Sequence, residues 1–277
     1  MIVLNHVQGG EDWLRARVGV CTASRFADAR AKLSKASKNG NAGDPAGDAI
    51  KYAWMLAVET IAGEPLDETF TTYAMRRGRD LEPQARAVYE ARTGAWVEEV
   101  SLILTDDSRF GYSADGFRDD DGLIEIKCPM ACDKLGAVWS SPETAHLEYI
   151  DQINGGLWIT GRKYCDLIIY CPWLAPVGKD LFVKRIHRDE AAIEALESDL
   201  VGFMRLVDAN LAALRNPTKM TGRPKDEGVQ AAPPTAPAAP PWQEACEQAA
   251  QVLRAAAAPA TPPAPAPAPR QRLVADF

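Results

Sequence analysis

The sequence contains few histidines and no long apolar run, and both shortages narrow the kind of protein it encodes. Three histidines in 277 residues leave little material for a histidine-rich metal site or for a serine–histidine–aspartate triad. No run of about 18 apolar residues is present, so we expect no transmembrane helix, and the first residues do not resemble a secretory signal. Any hydrolytic chemistry is therefore expected to use carboxylates and metal ions.

Positive charge is also in the minority. The chain has 31 lysines and arginines against 38 aspartates and glutamates, which gives a formal net charge of -7. This balance excludes a protein that wraps nucleic acid through overall positive charge, although it leaves room for a local basic groove. The 6 cysteines are irregularly spaced, which is not typical of a secreted disulfide framework, so we expect reduced thiols and a cytoplasmic protein.

Proline is scarce in most of the chain and concentrated at its end. Of the 20 prolines, 13 lie from Pro217 onward, in tracts of proline and alanine. Such tracts bury too little apolar surface to offset the entropy lost on ordering. We therefore predict a folded domain over 1–216 and a disordered Pro/Ala-rich tail over 217–277, with a short helix over 242–258.

Helix-like and strand-like patterns alternate between residues 1 and 216. Apolar residues at helical spacing predict four helices, over Ala46–Ile61, Thr72–Arg92, Glu143–Thr160 and Asp189–Leu214. Apolar runs bounded by turn residues predict five strands, over Ala95–Thr105, Phe110–Phe117, Gly122–Cys128, Lys163–Cys171 and Asp180–Ile186. This order predicts an α/β fold in which a central mixed sheet is flanked by helices.

Two of these strands carry the residues with the clearest chemistry. Nine residues separate Asp115 from Glu125, and the turn signal Asp119-Asp-Asp-Gly122 lies between them. A hairpin would bring the two carboxylates together. Strand alternation places Glu125 and Lys127 on one face and the neighbouring apolar residues on the other. The spacing therefore predicts one surface with two carboxylates and one ammonium group.

That surface suits metal-assisted hydrolysis of a phosphodiester. Oxygen ligands favour Mg²⁺ or Mn²⁺, and two such cations about 4 Å apart can clamp the attacking and leaving oxygens. A lysine beside them can hold the attacking water or stabilise developing charge. From the spacing alone, a surface hairpin with solvated charges is the simpler alternative, because exposed charges on strands are common.

Five sequence blocks, taken in order, resemble one known family over about residues 10–200. They are Trp13-Leu-Arg-Ala-Arg-Val-Gly-Val-Cys-Thr-Ala-Ser24, then Arg77-Gly-Arg-Asp-Leu-Glu-Pro-Gln-Ala-Arg86 with Tyr89-Glu-Ala-Arg-Thr-Gly94, then Ser113-Ala-Asp-Gly116, Glu125-Ile-Lys-Cys-Pro129 and Tyr149-Ile-Asp-Gln152. The sequence resembles the lambda-exonuclease-like, YqaJ-type viral recombinase nucleases, a branch of the PD-(D/E)xK superfamily. The resemblance implies a restriction-endonuclease-like core.

The resemblance also implies a role for each site residue. Asp115 and Glu125 match the carboxylates that bind the metal, with the backbone carbonyl of Ile126 as a further ligand. Lys127 matches the lysine that handles the nucleophilic water. Glu82 matches a carboxylate that reaches the metal from the side, although a surface pair with Arg86 is an alternative. Gln152 matches a helix glutamine that faces the site, and an ordinary exposed amide is the alternative.

A second set of residues matches the pocket that grips a 5′-terminal phosphate in the family. Arg17 and Ser24 match two of its members, and Ser113 could add a third donor. A plain helix cap is the alternative for Ser24. The sequence departs from the family pattern at two places. Ala114 replaces the usual proline before the aspartate, and Asp133, followed by Lys134, stands where a phosphate-binding arginine is expected. Either Lys134 substitutes for that arginine, or the preference for a 5′-phosphate is altered.

The function implied by the resemblance is a Mg²⁺-dependent exodeoxyribonuclease, with Mn²⁺ as an alternative cofactor. It would degrade linear double-stranded DNA from an end, 5′ to 3′, and leave 3′ overhangs for recombination. The family further implies a homotrimer around DNA, a single-strand annealing or single-strand-binding partner, and a phage or prophage gene expressed in a bacterial cytoplasm. The alternatives are another PD-(D/E)xK nuclease, such as an endonuclease or end processor, and a catalytically silent DNA-binding module.

Overall fold

A computed structural model describes residues 1–36, 40–66 and 73–216 of the chain. The described residues belong to one compact unit. The predicted tail over 217–277, its helix at 242–258 and the predicted helix start at Thr72 lie outside the described residues. The boundary at residue 216 therefore stays a prediction.

The helices and strands of the described residues follow the mixed order that the sequence predicts. The helices are α1 (Glu11–Ala16), α2 (Phe26–Ala29), α3 (Gly47–Ala62), α4 (Tyr73–Thr93), α5 (Cys132–Ser140), α6 (Ile150–Thr160) and α7 (Glu190–Arg215). The strands are β1 (Ile2–Leu4), β2 (Cys21–Thr22), β3 (Val97–Glu98), β4 (Leu102–Leu104), β5 (Phe110–Ser113), β6 (Gly116–Arg118), β7 (Gly122–Lys127), β8 (Tyr164–Tyr170) and β9 (Leu181–His187).

The strands form two sheets. One has the order β1-β4-β5-β2 and the other the order β3-β6-β7-β8-β9. Each is mixed, because β2 pairs parallel with β5 and β7 pairs parallel with β8, whereas the other pairs are antiparallel. The prediction of a mixed sheet flanked by helices is confirmed. The prediction of continuous strands over Ala95–Thr105 and Phe110–Phe117 is wrong, because each run divides into two strands that belong to different sheets.

Buried residues cover both faces of β7. Leu123 packs into the main core, which lies between the sheets and the helices α3, α6 and α7. Ile124 and Ile126 face the opposite side, where they pack with Ala85 and Tyr89 of α4. The predicted alternation along this strand is therefore confirmed. The apolar face is also covered by a helix, so only Lys127, at the C-terminal end of the strand, is partly exposed.

Two adjacent glycines allow α6 to pack closely against the sheet. A β-carbon at Gly155 would lie 2.5 Å from Phe26, and one at Gly156 would lie 2.7 Å from Tyr112. Any larger residue would push the helix away, so these positions fix the distance between α6 and β5. The helix ends at Gly161, whose φ of 72° suits a left-handed C-terminal cap.

The sequence predictions differ from the structure near α5 and α6. The helix predicted over Glu143–Thr160 begins later, with a 3₁₀ turn over Leu147–Tyr149 that leads into α6. The sequence does not predict the short helix α5, because only two of its residues have buried apolar side chains and its helical periodicity is weak. None of the described helices combines the length and apolar character needed to cross a membrane.

Candidate active site

Asp115 occupies the break between the two sheets. It lies between β5, which belongs to the first sheet, and β6, which belongs to the second. Its Oδ2 atom accepts a hydrogen bond from the backbone N–H of Ile126 at 2.6 Å, and only 9% of the residue is exposed. The hairpin therefore brings Asp115 beside Glu125, the residue that precedes Ile126 on β7.

Glu125, Lys127 and Gln152 form one connected group on the face of β7 toward α6. The Nζ atom of Lys127 lies 2.8 Å from Oε1 of Glu125 and donates to Oε1 of Gln152 at 3.0 Å. The Nε2 atom of Gln152 donates to the same Glu125 oxygen at 2.5 Å. Only 1% of Glu125 is exposed. The structure thus brings together the acid and the lysine of β7 with the glutamine of α6.

Tyr112 is a member of this group that the sequence analysis missed. Its hydroxyl donates to Oε2 of Glu125 at 2.9 Å, and its ring packs against α6. Strand alternation on β5 offered a signal, because Tyr112 shares a face with Phe110 and Ala114, which are all buried. Both oxygens of Glu125 are therefore hydrogen-bonded, which fixes the plane of its carboxylate.

Glu82 approaches the site from α4 and is held by Arg86. Nη2 of Arg86 donates to Oε1 of Glu82 at 2.9 Å and to the backbone carbonyl of Asp115 at 3.0 Å, while its Nη1 lies 2.9 Å from Glu99. Glu82 therefore both pairs with Arg86 and lies beside the active site. Arg86 was missed as a positioning residue, because its contact with Asp115 joins elements that are distant in sequence.

The site holds more buried negative charge than its lysine neutralises. Burial, followed by the charges of Glu125 and Glu82, holds the pKa of Asp115 well above its usual range. Burial also raises the pKa of Glu82, against the opposing charge of Arg86. Burial alone would lower the pKa of Lys127, but Glu125 and Asp115 more than offset it, so this pKa is raised. A cation placed here would relieve the excess charge.

The donor set fits a hard divalent cation held by carboxylate and carbonyl oxygens. Within the described ranges, no group of three or more His, Cys, Asp and Glu side chains is placed to hold a metal ion. Asp115 and Glu125 supply two carboxylates, and the carbonyl of Ile126 belongs to the residue whose N–H contacts Asp115. Mg²⁺ and Mn²⁺ accept such a set, because they complete their coordination with water. The predicted role of Glu82 as a metal ligand stays a prediction.

A cavity of about 390 Å³ contains two of the three residues assigned to the phosphate pocket. Arg17 and Ser24 line it, and the guanidinium of Arg17 lies 4.0 Å from the ring centroid of Trp13. Arg79 also lines this cavity, and it borders a second cavity that contains Glu82. Ser113 does not line the first cavity, and its buried Oγ atom has no hydrogen-bond partner among the described residues.

Lys134 lies in the first turn of α5, where the sequence analysis places a substitute for the family arginine. Its ammonium group forms an ion pair with Glu148, and the two side chains are about half exposed. Lys134 does not line the cavity of Arg17 and Ser24. Its role in phosphate binding stays a prediction.

Comparisons with known proteins agree on one family. A model of the YqaJ-like viral recombinase domain matches residues 12–163. The alkaline exonuclease LHK-Exo from Laribacter hongkongensis is 34% identical, with a TM-score of 0.62 over 74% of this chain and 96% of that one. The structure of LHK-Exo in complex with dAMP gives the same identity and coverage with a TM-score of 0.64.

A more distant structure shows the same fold. The phage-related exonuclease from Haemophilus somnus 129PT is 13% identical, with a TM-score of 0.57 over 70% of this chain and 96% of that chain. Comparison with curated proteins gives no match. The family model spans the residues from α1 to the residue before β8, and so includes every site residue named above.

Proposed function

We propose that this chain, which belongs to the YqaJ-like viral recombinase domain family, hydrolyses phosphodiester bonds of linear double-stranded DNA from an end. The observation that carries the proposal is the buried group of Asp115, Glu125 and Lys127, joined through Ile126 and Gln152. The likeness to an alkaline exonuclease supports removal of nucleotides from an end. The viral recombinase family supports a phage or prophage origin and action in the bacterial host.

Asp115, Glu125 and the Ile126 carbonyl would hold Mg²⁺, or Mn²⁺ in its place. Such a cation supplies Lewis-acid stabilisation of the charge that develops on the phosphate. Glu82 would act from beside the cation, through its hydrogen bond with Arg86 and by orienting water. The rigid contacts of Glu125 with Tyr112 keep the carboxylate aimed at the site, so little reorganisation is needed when DNA binds.

Lys127 would act as a cationic donor before the metal binds and as the group that positions the attacking water. Its raised pKa keeps the ammonium charged at neutral pH. Gln152 accepts from Lys127 and donates to Glu125, so it fixes the lysine against the carboxylate. This chain of contacts would hold the ammonium group in place to position the attacking water.

The 5′-to-3′ polarity is the finer part of the proposal. A guanidinium and an exposed hydroxyl line one cavity at Arg17 and Ser24, and this pair suits a terminal phosphate. Ser113 would join them only after a rearrangement, because it lies outside that cavity. Polarity of this sense leaves 3′ single-stranded overhangs. A homotrimer around DNA and a single-strand annealing or single-strand-binding partner are proposed on the family alone.

Strand-specific end labelling of linear duplex DNA tests the proposal. With Mg²⁺, the wild-type protein is expected to release 5′-terminal nucleotides and to prefer a 5′-phosphate over a 5′-hydroxyl. The Asp115→Asn variant is expected to release none. Release by Asp115→Asn at the wild-type rate would exclude the assigned site. Equal rates on both termini would exclude the Arg17 and Ser24 pocket, and cleavage of a covalently closed circle would favour an endonuclease.

A further inference from the structure

Two exposed tryptophans lie at opposite ends of the five-stranded sheet. Trp173 is 59% exposed and lies in the 3₁₀ turn Pro172–Val177, which directly follows β8. Because β7 and β8 are parallel, this turn leaves the sheet at the end where Lys127 completes β7. Trp96 is 77% exposed and its carbonyl accepts from the N–H of Asp119, in the hairpin before β7. Only Trp173 is therefore at the catalytic end.

Arg77 connects Trp173 to the strand that carries the active site. Its guanidinium lies 4.4 Å from the centroid of a Trp173 ring, and its Nη1 donates to the carbonyl of Cys128 at 3.1 Å. Cys128 is the residue after Lys127. Arg77 thus holds the indole near the C-terminal end of β7, one residue beyond Lys127, while more than half of the indole surface stays open to solvent.

We propose that Trp173 is a DNA-contacting residue that stacks on an unpaired base next to the cleaved phosphate, with Arg77 orienting it. The proposal rests on the nuclease function proposed above. An exposed aromatic ring beside a guanidinium is the combination that binds single-stranded nucleic acid, since the ring stacks on a base and the cation attracts the backbone. A chain of net charge -7 needs such local cations to attract DNA.

Neighbouring side chains favour nucleic acid over another partner at this end of the sheet. Arg76 is exposed on the same helix as Arg77, and Lys179 follows the turn that carries Trp173. The Nζ atom of Lys179 lies 5.2 Å from the ring centroid of Trp139. Two cation–aromatic pairs therefore border the connections that leave β7 and β8. An unpaired base is the expected occupant, because bases within a stacked duplex do not offer a free face.

The test compares Trp173→Ala with Trp96→Ala, a matched loss of an exposed indole at the other end of the sheet. Binding of a fluorescein-labelled single-stranded oligonucleotide is measured by anisotropy in EDTA, and KM and kcat are measured on linear duplex DNA with Mg²⁺. Trp173→Ala is expected to weaken oligonucleotide binding at least about fivefold, the effect of losing one base–aromatic stack, and to raise KM more than it lowers kcat. Trp173→Phe is expected to restore most of the binding.

Equal oligonucleotide affinity for wild type, Trp173→Ala and Trp96→Ala would overturn the proposal, as would equal losses in both alanine variants. Thermal unfolding of each variant shows whether it is folded. If Trp173→Ala is not folded, Trp173→Leu, which keeps an apolar side chain but no aromatic ring, replaces it and is expected to lose the same binding. The two proposals fail separately. A wild-type protein that cleaves DNA while Trp173→Ala binds normally contradicts only the stacking residue. Loss of binding in Trp173→Ala without any cleavage by wild type contradicts only the nuclease function.

Discussion

Two buried carboxylates on neighbouring strands have different electrostatic surroundings, because Asp166 meets two guanidinium groups whereas Glu125 meets a single lysine beside other acids. Glu125 on β7 and Asp166 on β8 are each 1% exposed, and they point to opposite faces of the same sheet. Asp166 accepts from Arg185 at 2.8 and 2.9 Å, from the Tyr89 hydroxyl at 2.6 Å and from Arg118. Two guanidinium groups and a hydroxyl thus surround one carboxylate on that face.

The two faces therefore carry carboxylates of different kinds: Asp166 is paired within the fold, whereas Asp115 is arranged for a cation. Burial alone would raise the pKa of Asp166, but hydrogen bonds from Arg185, Tyr89 and Arg118 hold it below its usual value. On the other face, burial and the neighbouring acids hold the pKa of Asp115 above its usual value. Burial therefore has opposite consequences on the two faces, because the cations around Asp166 neutralise it, whereas the acids around Asp115 leave negative charge for a ligand to balance.

The largest expected effect is on catalysis. Glu125→Gln should lower the rate of nucleotide release at least about a thousandfold, because it removes a charge that holds the cation. Asp166→Asn should leave the rate per folded molecule within about threefold of wild type, because its contacts are confined to the other face. Nucleotide release from linear duplex DNA with Mg²⁺ measures both. The functional contrast between the faces fails if the two variants lose activity equally.

Asp166→Asn should instead have the largest effect on stability. It leaves Arg118 and Arg185 without their shared carboxylate, which is expected to cost about 3 kcal/mol, the lower end for a broken buried pair since Arg185 is partly exposed. Urea unfolding followed by circular dichroism measures the change as a shift in midpoint at constant slope. The control is Asp208→Asn, which breaks an exposed pair with Arg109 and should cost less than about 1 kcal/mol. Similar losses in both variants would contradict the structural role.

Much of the candidate site could be predicted because its residues are close in sequence. Asp115, Glu125 and Lys127 belong to one hairpin, so turn residues and strand alternation suffice to place them on one surface. Gln152 could be named only through the family resemblance. Nothing in local sequence shows that Gly155 and Gly156 let α6 approach β5 closely enough for that glutamine to reach Glu125.

The contacts that could not be predicted join distant segments. Arg86 reaches the Asp115 carbonyl across 29 positions, and Tyr89 reaches Asp166 across 77. The division of the strands between two sheets was also missed, because β5 and β6 are separated by only two residues and the apolar pattern runs through them. Sequence periodicity indicates which residues are buried, but not which sheet a strand joins.

A smaller effect is expected from Asp115→Asn in the metal-free protein. Removing one of the crowded buried acids should raise Tm by about 2–4 °C, the shift that roughly 1 kcal/mol produces in a domain of this size. Mg²⁺ should raise the Tm of wild type by binding the folded state and should not raise that of the variant. Differential scanning fluorimetry with EDTA or Mg²⁺ measures both shifts. A lower metal-free Tm for Asp115→Asn would show that the carboxylate stabilises its own site.

The finest distinction between the two faces is the pH range in which each carboxylate affects stability. The raised pKa of Asp115 means that its penalty is absent below the unfolded value of about 3.9 and grows as pH rises toward the folded value. The lowered pKa of Asp166 means that its stabilisation is fully present above about 3.9 and is lost as pH falls toward the folded value. On acidification in EDTA, the Tm difference between Asp115→Asn and wild type should therefore close first. The difference for Asp166→Asn should persist until the pH falls below about 4. If both differences close over the same pH range, the two carboxylates do not have opposite surroundings.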